Sequence, residues 1–153
     1  MEINTKYFGK LPFEQEEAII FENGIFGFED YKKYILIRFD DDKGSLLSLQ
    51  SIDNENLAFV AVNPFKFIPD YAPILTEEDL KDLRANSVEN LLVYNICVIK
   101  DNLGESTINL RCPIIVNAEI RLAKQVILED SNYSFRLPFN DIMNNNVTNK
   151  EEE

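Results

Sequence analysis

No histidine occurs anywhere in the 153 residues. That removes Ser-His-Asp and Cys-His catalysis, histidine general bases and every zinc site that needs an imidazole. Cysteine is scarce too, with only Cys97 and Cys112. Two thiols cannot make a four-cysteine metal site. They lack CxxC spacing and sit in apolar strand patterns, so core packing is expected rather than redox pairing. The five glycines form no GxGxxG or GxxxxGK pattern after a strand, which excludes a phosphate loop. No apolar run approaches the ~18 residues of a membrane helix, and the N-terminal stretch lacks a basic-then-apolar signal pattern. The expectation is a cytoplasmic protein with no membrane contact and no cofactor.

Positive charge is also in short supply. Fifteen basic residues face 27 acidic ones, for a net charge of −12. The imbalance is uneven: residues 1–90 hold 9 basic and 18 acidic side chains. Direct nucleic-acid binding is not expected, because such affinity comes mainly from cationic contacts to phosphate. A basic protein partner, by contrast, would be steered in by this field. The plainer account of the acidity is solubility.

What the chain does have is an ordinary apolar content of 45% in a length that suits one domain, which buries roughly 70% of its unfolded surface. The central stretch is Leu49 to Leu75. Leu57 to Val62 is apolar at all six positions, as in a strand covered on both faces. Asn63-Pro64 ends it, and Phe65, Phe67 and Tyr71 follow among Pro64, Pro69 and Asp70. These rings either cap one end of the core or form a rigid aromatic platform for a partner.

Around this stretch the pattern is one of short strands. Met1 to Tyr7, Ala18 to Phe21, Tyr34 to Phe39 and Leu46 to Ile52 precede it, the last forming a hairpin with Leu57 to Val62. Leu91 to Ile99 is the longest strand, with Leu92, Tyr94, Ile96 and Val98 on an apolar face and Asn95 interrupting the other. Further extended segments run over Thr107 to Arg111, Ile114 to Val116, Ala118 to Leu122, Val126 to Leu128 and Tyr133 to Phe139. Gly24 and Gly27, in GIFGFE, call for positive φ or close backbone approach. One short surface helix is expected at about 76–84, capped by Thr76 with Asp79 three residues on, with Leu75 and Leu80 placed as a hydrophobic staple. About nine or ten strands and one helix make an all-β, antiparallel single domain. The domain is taken as residues 1–139. Residues 140–153 are Asn-rich, then acidic, and read as a disordered tail.

Catalysis finds little support. Asp53 and Asp70 flank the central stretch as a conceivable acid/base pair, but turn and cap roles are commoner for such aspartates. Asp40, Asp41 and Asp42 lack the spaced ligands and distal glutamate of a calcium loop. No metal site and no enzyme activity are expected.

Four collinear blocks carry a resemblance: LQSID with LAFVAVNPFKFIPDY; Gly24 to Glu29; Ile108-Asn109-Leu110 with Pro113 to Asn117; and Lys124 to Leu128. Together, over about residues 3–138, they resemble the FliW family of bacterial flagellar assembly factors. The resemblance implies a barrel-like antiparallel fold, where pattern alone leaves barrel and sandwich open. It implies two protein partners, flagellin and the RNA-binding translational regulator CsrA. Binding of CsrA would relieve repression of flagellin mRNA, and accumulating flagellin would take the protein away. The resemblance implies action outside the regulator's RNA site, whereas the acidity by itself fits mimicry of RNA equally well. The alternative is an export chaperone that shields flagellin and has no regulatory partner. Expected contact residues are Asn63, Pro64, Phe65, Phe67, Pro69, Asp70 and Tyr71 for an apolar anchor. Glu14, Glu16 and Glu17, and Asp40, Asp41 and Asp42, are expected to supply the charge.

Overall fold

The all-apolar run after Asn56 becomes β6 (Ala58–Val62), and both of its faces are covered. The computed structural model describes residues 1–39, 46–129 and 131–142. Strand β6 pairs antiparallel with β5 (Leu46–Ser51) on one side and β7 (Leu91–Val98) on the other. From β5 the sheet continues through β4 (Lys33–Arg38) to β3 (Ile19–Phe21). Strand β3 then pairs in parallel with β10 (Leu122–Gln125), which pairs with β9 (Ile114–Asn117). Strand β9 returns to β7 over Leu91–Tyr94, so seven strands close into a barrel. Closure leaves no open edge in this ring.

Register assigns the two faces of the wall. Leu36, Leu49 and Phe59 lie opposite one another across β4, β5 and β6 and point inward with Phe21, Tyr34, Tyr94, Ile96, Ile114 and Ala123. The Phe21 and Tyr34 rings meet edge to face at 5.2 Å inside this core. The alternate residues Val60, Val62, Val93, Cys97 and Ile115 point outward and are buried by a second core. Chain segments 64–85 and 108–142 build that outer layer, through Tyr71, Leu83, Ile108, Leu110, Val126 and Leu128. Both cysteines are buried and free, and burial pushes the Cys97 thiol up to about 12.

Smaller elements decorate the barrel. A hairpin of β1 (Glu2–Thr5) and β2 (Gly9–Pro12) is fastened where Lys6 N–H donates to Gln50 Oε1 at 2.9 Å. At the same hairpin, Tyr7 and Phe8 pack on Phe39. Strand β8 (Thr107–Ile108) extends the sheet from the end of β7 and carries β11 (Leu137–Pro138). Helix α1 (Glu77–Asp82) has the expected capping box: Asp79 N–H donates to Thr76 Oγ1, and Thr76 N–H to Asp79 Oδ2, both at 3.0 Å.

The structure departs from the sequence reading at several places: Val126 to Leu128 lies past the end of β10, only Leu137–Pro138 of Tyr133 to Phe139 pairs as a strand, and residues 139–142 are helical. Ala118 to Arg121 alternates in polarity yet forms the turn between β9 and β10. There the Asn117 side chain accepts from Glu119 N–H, Arg121 takes φ 58°, and Ile120 is left exposed. Strand β8 stops at Ile108 because the Asn109 side chain turns the chain, accepting from the N–H groups of Arg111 and Cys112 at 3.1 and 3.0 Å. The packed chain also runs past residue 139, since Ile142 is buried in the outer core.

Candidate functional site

The polar residues of the motif blocks mostly work inward. Gln50, fully buried, accepts from Lys6 with its Oε1 while its Nε2 reaches the carbonyls of Ser51 and Leu57 at 3.0 and 3.2 Å. It therefore ties the β1–β2 hairpin to the β5–β6 turn. Asn95, also fully buried, donates to Asn109 O at 2.7 Å and to Tyr71 Oη at 3.2 Å. Tyr71 in turn donates to Leu110 O at 2.6 Å. These bonds clamp the segment after β6 and the segment after β8 onto β7. Burial pushes the Tyr71 phenol up to about 12, against the hydrogen bond from Asn95.

That network corrects the expected anchor at Tyr71. Its ring is 3% exposed and packs edge-on against Tyr133 at 4.8 Å, so it caps the outer core and has no face for a partner. Pro64 is buried as well, and Phe67 is half-buried against the same core. Phe65 behaves differently. It stands 41% exposed at the start of a 3₁₀ turn (Pro64–Lys66), with its N–H held by Asn63 Oδ1 at 3.0 Å. Pro69 and Asp70, four and five residues on, are exposed too.

Of the expected acidic residues, Glu14, Glu16 and Glu17 are exposed on and around a single 3₁₀ turn (Gln15–Glu17) that leads into β3. Strands β3 and β6 are separated by β4 and β5, so this run and the Phe65 turn are not one site. Asp40, Asp41 and Asp42 lie outside the described residues. Asp53 and Asp70 sit beyond opposite ends of β6, five residues long at roughly 3.3 Å each, and make no acid/base pair. Among the described residues, no group of three or more Cys, Asp or Glu is placed to hold a metal ion. No described helix is long and apolar enough to cross a membrane.

A second surface feature lies where the Gly24–Glu29 loop, α1 and β10 meet, around a cleft of about 580 Å³. Lys124 and Gln125 are its central fasteners. Lys124 Nζ reaches Asp79 Oδ1 and Asp82 Oδ2, each at 2.7 Å, and pins the helix to the barrel. Burial alone would lower the Lys124 pKa, but the two carboxylates raise it above its ordinary value. Burial would likewise raise Asp79, but the bonds from Lys124 and Thr76 hold it below the usual carboxylate value. Asn117 Nδ2 adds a bond to Leu83 O at 2.9 Å just past the helix end.

On the opposite wall, Gln125 Oε1 accepts from Phe26 N–H at 2.9 Å. Gly24 and Gly27 take φ 71° and 87°, and a Cβ on Gly24 would lie 2.6 Å from Glu29 Cα. The Glu29 carboxylate accepts from Gly27 N–H at 3.1 Å, and that bond lowers its pKa. A loop wound this tightly turns Phe26 outward, 47% exposed, near Ile127 at 46%. Sequence reasoning did not single out Lys124, Gln125, Phe26 or Ile127 as a site. The one signal was that GIFGFE and KQVIL stand among the four motif blocks.

Seven strands closed into a barrel, with its loops pinned by side-chain hydrogen bonds and several aromatic side chains left exposed, define the architecture. The FliW protein family profile matches residues 2–139. The flagellar assembly factor FliW of Caldanaerobacter subterraneus subsp. tengcongensis is 39% identical over 145 residues, covering 95% of this chain and 97% of the relative. That of Bacillus subtilis is 38% identical over 138 residues, covering 90% and 96%. A crystal structure of the flagellar assembly factor FliW superposes with a TM-score of 0.85 at 32% identity, covering 91% of this chain and 96% of that one. The chain belongs to the FliW family.

Proposed function

We propose that this protein is a cytoplasmic flagellar assembly factor that acts by binding, with no catalytic step. Its partners are a CsrA-type RNA-binding regulator, whose repression of flagellin mRNA it relieves, and flagellin, which competes for it. Free protein holds the regulator; accumulating flagellin draws it off and repression returns. A switch of this kind needs only competing affinities. The observation that carries this reading is a pair of exposed phenylalanines, Phe26 and Phe65, each on a backbone N–H fixed by an amide side chain, on a chain of net charge −12. Rigid aromatic anchors lose little freedom on docking, and the acidic field suits a regulator that must be basic to bind RNA. Phe65, with Asn63, Pro69 and Asp70 of the same segment, is assigned to flagellin. The acidic loops, including Glu14, Glu16 and Glu17, speed the encounter with the regulator.

Calorimetric titration with the purified regulator, with flagellin and with both together tests the scheme. Each partner should bind alone, and flagellin should displace the regulator. Raising salt above ~0.15 M should weaken the regulator complex, because screening shortens the reach of the acidic field. The protein alone should not shift the flagellin leader RNA in a gel. Flagellin binding without regulator binding would leave the export-chaperone reading instead.

A further inference from the structure

In the Gly24–Glu29 loop, glycines at φ 71° and 87°, the first with no room for a Cβ beside the Glu29 backbone, set a turn that leaves Phe26 half in water. Its N–H is tied to Gln125, which is 7% exposed, so the ring sits on a fixed support. The facing wall is equally fixed, by the two Lys124 bonds to α1. Between these walls lie Phe26 and Ile127, both nearly half exposed. The rim is acidic: Glu22, Glu78, Asp79, Asp82 and Glu129 outnumber three cations. Two of those cations are already engaged, Lys124 with the helix carboxylates and Arg84 with Glu22 at 3.4 Å. Among the described residues, Glu78 and Glu129 have no ion-pair partner.

We infer that this cleft is a docking site for a segment of a basic protein that presents an apolar side chain between lysines or arginines. The apolar side chain would cover Phe26 and Ile127, and the flanking cations would meet Glu78 and Glu129. A pre-built apolar centre within a charged rim is the arrangement that gives interfaces both affinity and orientation. The inference rests on reading the protein as a binding module, but it does not require a particular partner. The site is separate from the Phe65 turn.

Two arms test it. In the first, a short synthetic peptide with leucine and phenylalanine between lysines is titrated into ¹⁵N-labelled protein, beside a copy with glutamate for each lysine. Saturable shifts should gather on residues 24–29 and 122–129 for the basic peptide only, and should vanish in Phe26→Ser. Shifts centred on Glu14 to Glu17, or no saturation, would overturn the site. In the second arm the CsrA-type regulator and flagellin are titrated against wild type, Phe26→Ser and Glu78→Lys/Glu129→Lys. If the regulator is the occupant, both variants should lose at least tenfold in its affinity while keeping the wild-type melting midpoint and flagellin affinity. Equal regulator affinity in all three folded proteins would remove the regulator from the cleft and, with the peptide also absent from it, overturn the inference. A regulator that ignores wild type while the basic peptide binds would sink the proposed switch and leave the cleft assignment standing.

Discussion

Two loops of this protein are rich in phenylalanine, and they use it in opposite ways. In the Asn63 to Tyr71 segment the rings mostly turn inward: Tyr71 is 3% exposed and Phe67 is half-buried, leaving Phe65 outside. In the Gly24 to Glu29 loop both phenylalanines face out, at 47% and 41% for Phe26 and Phe28. Composition does not separate the two. What separates them is where the backbone is tied. The first segment is drawn onto β7 by buried bonds through Asn95, Tyr71 and Leu110. The second is held from below by Gln125 and wound by positive φ, so Phe26 turns outward while Phe28, 41% exposed, lies edge-on to Phe59 at 5.2 Å. One loop spends most of its rings on the outer core, while the other gives Ile25 to the inner core and leaves Phe26 in water.

The comparison breaks first at Tyr71. Tyr71→Ala removes a buried ring from the outer core and should cost about 3–5 kcal/mol in a urea melt. Tyr71→Phe keeps the ring and leaves Leu110 O without its donor, for about 1–2 kcal/mol. If both changes cost under ~0.5 kcal/mol, a value ordinary for surface positions, Tyr71 would be a surface residue after all.

Gly24 and Gly27 sharpen the other side. Gly24→Ala meets both an unfavourable φ and the Glu29 backbone, and should cost about 2–4 kcal/mol. Gly27→Ala meets the φ alone, since an added Cβ there has nothing within 4 Å, and should cost about 1 kcal/mol. Equal costs would mean that the near-contact at Gly24 is relieved by a small shift of the loop.

The fastening of α1 is weaker and depends on pH. Lys124→Met leaves Asp79 without its cation and should cost about 1–2 kcal/mol near neutral pH, less than for a fully buried pair because Lys124 and Asp82 remain partly in water. That corresponds to roughly 2–8 °C in melting midpoint for a domain of this size. Asp79 has a lowered folded-state pKa, so its contribution is present above its ordinary value near 4 and disappears as pH falls through the folded value. Lys124 is raised, so its contribution persists below its ordinary value near 10.5 and fades above it. The gap between wild type and Asp79→Asn should therefore stay level from about pH 5 to 10 and close on acidification below pH 4. A gap that persists at pH 2 would assign the loss to the capping box alone.

How much of this was legible in the sequence follows the distance between partners. The capping box spans three residues and the β5–β6 hairpin turns within a few, and both were readable from local pattern. Gly24 and Gly27 announced their φ values, because few other residues adopt them. Barrel closure was not readable, since β7 must find β9, and β3 must find β10 in parallel, across long intervals; it came from resemblance. The Lys124–Asp79 bond crosses 45 positions and the Gln125–Phe26 bond 99, so no local pattern could show the cleft. Asn95 read as a flaw in an apolar face, whereas it is the hub of a buried network. The anchor at Tyr71 failed for the same reason: beside two prolines, a ring that caps a core and a ring that awaits a partner look alike.

The smallest effect on stability belongs to Phe65, and it is the one that tests what the first loop keeps for binding. Its ring is 41% exposed and lies 6.1 Å from the Tyr71 ring, a contact worth little beside the buried network. Phe65→Ala should leave the urea midpoint within about 0.5–1 kcal/mol of wild type. If Phe65 anchors flagellin, the same change should weaken flagellin about tenfold or more, as loss of a central aromatic contact does. It should also leave the regulator's affinity untouched. Phe26→Ser should show the converse, which makes the two loops separable by a pair of substitutions. A Phe65→Ala protein that is folded and binds flagellin like wild type would reduce the whole Asn63 to Tyr71 segment to a core cap, and flagellin would have to dock elsewhere on the barrel.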